Sequence, residues 1–355
     1  MKRTLMMADK QDFLVEIGTE ELPPKALHGL SLAFAKNLEL ALADAGLSHA
    51  AVRPFASPRR LAIRVDALQL RQPDREVEHR GPPLKVAYDD DGNPTRAATS
   101  FAKKCGAPLE KIEQENSGKD PRLIWRGVQK GRTAAEMLPD MVQLSLDQLP
   151  IPRRMRWGSG EAEFVRPVHW VLLKLGKDVL DATIFGVRAG RTSRGHRFMA
   201  PGEISIGKPG QYESLLEKKG KVIVDFSRRM DIIRKQVGAL ATEIGGRQQL
   251  DEALLEEVAA LVEWPKALAA RFPDAFLDLP PEVLIATLQD HQRYFPVFAS
   301  GDSGKLLAAF ITVANLDSQD PATIIAGNER VVQARLSDSL FFWQQDTKAK
   351  LEDRV

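Results

Sequence analysis

The residues of this chain that could do chemistry are arginines, gathered beside aromatics and glycines. Pro152-Arg-Arg-Met-Arg-Trp157 is the densest cluster, with Arg153, Arg154 and Arg156 next to Trp157. A guanidinium can grip a phosphate through two parallel N–H bonds, and a neighbouring indole stacks an unpaired base or a guanidinium plane. In an extended segment Arg154 and Arg156 share a face. The plainer alternative is a solvated surface with Trp157 folded into the core. Arg191-Thr-Ser-Arg-Gly-His-Arg197 sets Arg191, Arg194, His196 and Arg197 around Gly195, where the missing Cβ lets backbone amides approach a phosphate. Its alternative is a loop whose arginines pair with local carboxylates. Ser57-Pro-Arg-Arg60 holds Arg59 and Arg60 behind a stiff proline near a strand edge, or is an ordinary exposed turn. In Asp290-His-Gln-Arg-Tyr-Phe-Pro296, His291 and Arg293 can reach an RNA stem or a partner protein. Otherwise Tyr294 and Phe295 pack a helix end that the polar residues cap. Arg166-Pro-Val-His169 reads as a docking rim, with Trp170 after it as core.

No catalytic constellation accompanies these clusters. Gly202-Glu-Ile-Ser-Ile-Gly-Lys-Pro209 has the outline of a phosphate loop, but Pro209 stands where a magnesium-binding hydroxyl is required, so it reads as a surface turn. Nucleophile elbows, zinc-protease helices and dinucleotide fingerprints are absent. Histidines 28, 49, 79, 169, 196 and 291 show no metal-ligand spacing, and Cys105, the only cysteine, excludes an intrachain disulfide and a cysteine-based zinc site. The sequence therefore nominates no catalytic residue, no metal ligand and no cofactor within the chain.

The elements that must position the arginines come from periodicity and punctuation. Phe13-Leu-Val-Glu-Ile17 reads as a strand, Pro23-Pro24 as the first turn of a helix, and Leu27, Leu30, Phe34, Leu38 and Leu42 as one apolar helical stripe ending at Gly46. Leu61–Val65 is a second strand, so an α+β unit is expected. Residues 71–130 are more polar, with turns at Pro82-Pro83 and Asp89–Gly92. Thr133 with Glu136 forms a capping box, followed by a stripe of Met137, Met141, Leu144 and Gln148. Strands are expected at Trp170–Leu175, Val179–Val187, Lys221–Phe226 and Leu307–Val313. Helices are expected on Ile232–Ile244, closed by Gly245-Gly246, and on Leu254–Val262, closed by Pro265. Gly327–Arg330 and Arg335–Asp338 suit a helix with exposed ion pairs or a subunit contact. The expected partition is an N-terminal α+β domain over 1–150, a mixed-sheet domain over 151–325 and the start of a helical domain over 326–355.

Bulk properties agree. A chain of 355 residues with 43 % hydrophobic and 28 % charged residues suits a globular protein of more than one domain. No apolar run reaches the ~18 residues of a membrane span, and nothing at the N-terminus resembles an export signal, so a cytoplasmic protein with no membrane partner is expected. The formal net charge of +2 excludes a generic polyanion binder; nucleic-acid contact must come from local patches.

Taken together, these segments resemble the beta subunit of the bacterial two-subunit glycyl-tRNA synthetase. The resemblance rests on Phe13–Pro24, Ser57–Leu61, Leu149–Gly158, Phe164–Trp170, Arg194–Met199, Leu261–Pro265, His291–Val297 and Gly327–Val332, in that order along the chain. It implies a partner alpha subunit holding the glycine and ATP–magnesium site, an α2β2 assembly, and glycine tRNA as the RNA bound. It also implies that this chain is the N-terminal portion of a longer one that continues into an HD-type helical domain and an anticodon-binding domain. The middle region is similar to the editing-type domain of the phenylalanyl-tRNA synthetase beta subunit, without its chemistry. The expected function is to bind and position tRNA for a ligase whose catalytic site lies elsewhere. The alternatives are an editing hydrolase of mischarged tRNA and a pure scaffold for the alpha subunit. Gln333 departs from the arginine expected after Val331-Val332.

Overall fold

The computed structural model describes residues 10–115, 120–301 and 304–348. It is a mixed α+β architecture with several sheets, and its described residues divide into two compact units. The smaller gathers Leu42–Ser48 and Gln69–Leu138, and the larger gathers Gln11–Ala41, His49–Leu68 and the described residues from Pro139 onward.

The larger unit is organised by a seven-stranded sheet. From its interior to one edge it runs through the Val168–Leu175 strand, β1 (Lys10–Thr19), β3 (Arg60–Gln69) and β2 (Ala51–Ser57), in that order. β1 runs antiparallel to Val168–Leu175, with Gly18 opposite Trp170 and Glu16 opposite Leu172. β2 and β3 form a hairpin in which Ser57 pairs with Arg60 across the two-residue turn Pro58-Arg59. Side chains alternate across a strand, so Leu14, Glu16, Gly18, Ser57, Arg60, Ala62, Trp170 and Leu172 share one face. Leu14, Phe55, Ala62 and Leu172 on that face pack with Ile204, Ile206, Tyr212, Leu216, Val222 and Val224. The other face carries Phe13, Val15, Ile17, Leu61, Ile63 and Val65, all buried, and the Pro24–Asp44 helix buries its Leu27, Leu30, Phe34, Leu38 and Leu42 stripe as expected.

A second, four-stranded antiparallel sheet in the same unit orders Gly246–Gln248, Phe295–Ala299, Leu306–Ala314 and Lys266–Arg271. Its core includes Phe310, Tyr294 and Leu288, with Val332 and Leu336 from the Pro321–Asp346 helix. The smaller unit pairs Arg75–Pro83, Arg122–Gln129 and Glu113–Glu115 antiparallel. Against them lies the Arg96–Cys105 helix, capped by Thr95 and ended by Gly106 in the left-handed region.

Three expectations of local structure are corrected. Val179–Val187 is not one strand. It breaks into Asp178–Val179, Thr183–Ile184 and Val187–Gly190, because Phe185 and Gly186 take positive φ (51° and 80°) and turn the chain. Lys221–Phe226 joins no sheet. Its backbone bonds go singly to different elements, Val222 N to Leu216 O, Ile223 N to Glu263 O and Ala56 N to Val224 O, so its apolar run reflects burial without pairing. In the Ala134–Asp147 helix the buried positions are Ala134, Met137, Leu138, Val142, Ser145 and Leu146, while Leu144 is 53 % exposed. The true stripe lies one residue further round than the expected one. The capping box that starts this helix is present: Thr133 N donates to Glu136 (3.0 Å) and Glu136 N to Thr133 Oγ1 (3.4 Å).

Candidate nucleic-acid interface

The β2–β3 turn separates two adjacent arginines. Pro58-Arg59 forms the tip, so Arg59 stands half-exposed while Arg60, the first residue of β3, turns into the sheet face and is fully buried. Every polar edge of the Arg60 guanidinium is engaged. Nε donates to Ser57 Oγ (3.0 Å), Nη1 to Ser193 Oγ (3.0 Å), and Nη2 to Arg194 O (2.9 Å) and Glu263 Oε1 (3.1 Å). Nη1 lies 3.6 Å from Glu16 Oε2. Burial alone would lower its pKa, but the Glu263 and Glu16 carboxylates win and raise it. Glu16 is itself saturated by Ser193 (2.7 and 2.9 Å to its two oxygens), by the Trp170 indole N–H and by the Tyr212 hydroxyl. Arg60 presents no surface to a ligand, and its role is to lock β3 to Ser193 and Glu263.

The Trp170 ring beneath this knot carries cations. The guanidinium carbons of Arg59, Arg60 and Arg194 lie 5.7, 5.6 and 5.3 Å from its centroid, within cation–π range. Gly18 makes this possible: a Cβ there would fall 1.9 Å from the indole. Trp170 is buried, as expected from the sequence, and serves as the plate on which two half- or fully exposed arginines rest.

Arg59, Arg194 and Arg197 line one cleft of about 280 Å³ with Gly195, Pro201, Gly202 and Glu203. Burial, then the neighbouring Arg197 charge, lowers the Arg59 pKa, so this is a place where positive charge is crowded. Arg59 Nε is shielded and has no acceptor among the described residues. Neither Arg59 nor Arg194 has a carboxylate within ion-pair distance among the described residues, whereas Arg197 is held by Glu20 (3.1 Å) and Glu21 (3.2 Å). Glu20 also meets His169 (2.9 Å). Burial pushes the Glu20 carboxyl up, but Arg197 and His169 outweigh it and hold it below its ordinary value.

The loop that supplies Arg197 is pinned by His196. Its Nδ1 accepts from the Phe198 and Met199 amides (both 3.2 Å), so Nε2 carries the proton that it shares with Asn315 O (2.6 Å). Asn315 Oδ1 in turn accepts from Glu263 N and Trp264 N. His196 is almost fully buried and, like Arg60, offers no surface. Gly195 closes the loop: a Cβ would meet Ala200 O at 2.3 Å. Sequence reasoning passed over Phe198, which projects from this loop at 74 % exposure. The only available signal was a phenylalanine directly after the basic run Arg194-Gly-His-Arg197, outside any apolar period.

The remaining candidates are placed as follows. Arg153 and Arg156 are exposed, Trp157 is half-buried, and Arg154 donates to Asp147 O (2.6 Å) at the end of the Ala134–Asp147 helix. Arg166 links this segment to Glu21, the partner of Arg197: it donates to Glu21 O (3.0 Å) and contacts Met155 Sδ (3.7 Å). Arg191 is exposed at the far end of the Thr192–Arg194 strand. His291 is exposed, while Arg293 lines a different cleft, of about 590 Å³, with Lys25, Asp251, Glu256 and Glu257. Arg293 bonds Glu257 (2.8 Å) and the carbonyls of Gln289 and Asp290 from a left-handed backbone, φ 60°. Tyr294 and Phe295 beside it are buried, so this segment caps a helix end. The Gly202–Pro209 stretch contains the strand Glu203–Ser205, paired with Thr192–Arg194, rather than a phosphate-cradling loop. No cluster of possible metal ligands and no helix long and apolar enough to cross a membrane occurs among the described residues.

Comparison with known proteins agrees with the resemblance read from the motifs. The family described as "Glycyl-tRNA synthetase beta subunit" matches residues 13–355. The glycine–tRNA ligase beta subunit of Marinobacter nauticus is 49 % identical over 346 residues, covering 97 % of this chain and 50 % of that protein. Those of Edwardsiella ictaluri and Cronobacter sakazakii are each 49 % identical over 346 residues, covering 98 % of this chain and 50 % of theirs. The chain spans about half the length of the curated relatives it matches.

Proposed function

The chain belongs to the glycyl-tRNA synthetase beta subunit family, and from that premise we propose that it grips glycine tRNA and positions it for a ligase whose glycine, ATP and magnesium are held by an alpha subunit. One observation carries this reading. Arg59, Arg194 and Arg197, far apart in sequence, converge on a single cleft, two of them without a carboxylate partner among the described residues. Crowded guanidiniums are stabilised by a polyanion, and phosphate contacts fix register and orientation without reading sequence. Arg153, Arg156 and Trp157 extend the face, and the exposed Arg191 and His291 supply outlying contacts, whereas Arg293 is engaged by Glu257. Holding the acceptor end against an activated carbonyl on another polypeptide removes entropy from the barrier before the reaction. In this reading the protein acts in the cytoplasm within an α2β2 assembly. Its sheet region, 151–325, is akin to the editing-type domain of the phenylalanyl-tRNA synthetase beta subunit.

The test is filter binding of glycine tRNA across a salt series, with Arg59→Ala and Arg194→Ala alone and together. Each substitution is expected to lower the slope of log affinity against log salt by about 0.7 to 0.9. An unchanged slope in the double variant removes the cleft from the interface. Retention of the alpha subunit without any RNA binding would make the chain a scaffold, and deacylation of mischarged tRNA above background would make it an editing enzyme.

A further inference from the structure

Resting on that reading, we infer that the Gly195–Ala200 loop is a subsite for one unpaired nucleotide, its base stacked on Phe198 and its phosphate held by Arg59, Arg194 and Arg197. Phe198 is the most exposed large hydrophobic residue among those described, at 74 %. It does not float on a loose loop. Its amide is bound to His196 Nδ1, and His196 is tied to Asn315 O, which fixes the aromatic beside a buried anchor. Its ring is tilted 55° from the His196 ring at 6.2 Å, so the imidazole does not cover its face. Phe198 directly follows Arg197, a lining residue of the cationic cleft, so base platform and phosphate grip sit in adjacent positions of one turn.

The geometry selects single strands over duplex. Inside a duplex each base already has neighbours on both faces, whereas a splayed base offers a free face to an aromatic. Trp170 cannot serve as that platform, since its ring is buried under Arg59, Arg60 and Arg194. Stacking on phenylalanine is tolerant of base identity, so the subsite takes an unpaired nucleotide of either purine or pyrimidine type.

The experiment uses the full chain with two fluorescein-labelled probes: a short single-stranded oligoribonucleotide and a blunt RNA hairpin closed by a stable loop. Phe198→Leu keeps apolar bulk and removes the π-face. It is expected to weaken the single-stranded probe about tenfold with no change in salt slope, and to leave the hairpin unaffected. Phe198→Trp is expected to restore affinity and to show indole quenching on addition of the single strand. Equal affinity of wild type and Phe198→Leu for the single strand, or no quenching in Phe198→Trp, would overturn the subsite. In that case the salt-slope effect of Arg59→Ala and Arg194→Ala would survive, so the positioning role stands or falls separately. Loss of alpha-subunit capture by Phe198→Leu with both RNA affinities intact would reassign the loop to a protein contact.

Discussion

At the scale of single residues, Arg60 and Arg59 show how neighbours in sequence acquire opposite tasks. Arg60 neutralises two buried carboxylates, Glu16 and Glu263. Replacing it with methionine of similar length leaves both uncompensated, and removing one partner of a buried ion pair costs about 3–5 kcal/mol. Urea unfolding of Arg60→Met should show a loss of that size. A loss below about 1 kcal/mol would mean that the knot is not what holds β3 in place. Glu20 illustrates a different conflict. It competes with phosphate for Arg197, so Glu20→Gln should bind RNA about two- to fivefold more tightly, the scale of one exposed ion pair. Its carboxyl lies below its ordinary value of 4.5 in the fold, so the unfolded chain takes up that proton first as pH falls. The stability Glu20 contributes is complete above pH 4.5 and is lost as pH drops through the depressed value. Thermal unfolding of Glu20→Gln should therefore show a shallower acid decline than wild type, and parallel curves would contradict the pairing.

At the scale of elements, β1 and the Val168–Leu175 strand form the site by register. Gly18 stands opposite Trp170, and the indole occupies the space a side chain would take. Gly18→Ala must push the ring or the strand aside, which overpacking data put at about 1–3 kcal/mol. Because Arg59 and Arg194 rest on that ring, the same substitution should weaken RNA binding although residue 18 carries no charge. Melting temperature and filter binding are measured together. Destabilisation with unchanged affinity would show that the arginines do not depend on Trp170 for orientation. Lys174, buried on the same strand, has its pKa lowered chiefly by burial and donates to Lys177 O (2.7 Å). It closes the strand's end and adds nothing to the cationic face.

At the scale of the molecule, Lys and Arg number 50 against 48 Asp and Glu, so the average surface is neither attractive nor repulsive to RNA. Affinity has to be local. Arg188, exposed and paired with Asp181 at 3.2 Å, lies outside the cleft lining. Arg188→Gln should leave both affinity and salt slope unchanged, in contrast to Arg59→Ala. A slope change as large as that of a cleft arginine would point to diffuse binding over the whole surface.

The long amphipathic helices, several turns and the strands around Phe13–Ile17, Leu61–Val65, Trp170–Leu175 and Leu307–Val313 could be read directly from the chain, because caps, prolines and apolar spacing depend on residues a few positions apart, whereas the Arg96–Cys105 helix and the short or edge strands could not. Thr133 with Glu136, the β2–β3 turn and the Leu27–Leu42 stripe are cases of this kind. The ordered motifs were likewise enough to identify the family. Whether a residue points inward was not readable wherever it depends on distant pairing. Arg60 is buried because Ser193 and Glu263, remote in sequence, surround it, and Lys221–Phe226 is apolar without being a strand because separate elements take its backbone bonds. Convergence of Arg59 with Arg194 on Trp170 follows from a sheet register that places Trp170 against Gly18, and the placement of Phe198 from the tie between His196 and the distant Asn315. Local periodicity carries no information about that alignment, since many registers bury the same apolar residues and only one brings these side chains together.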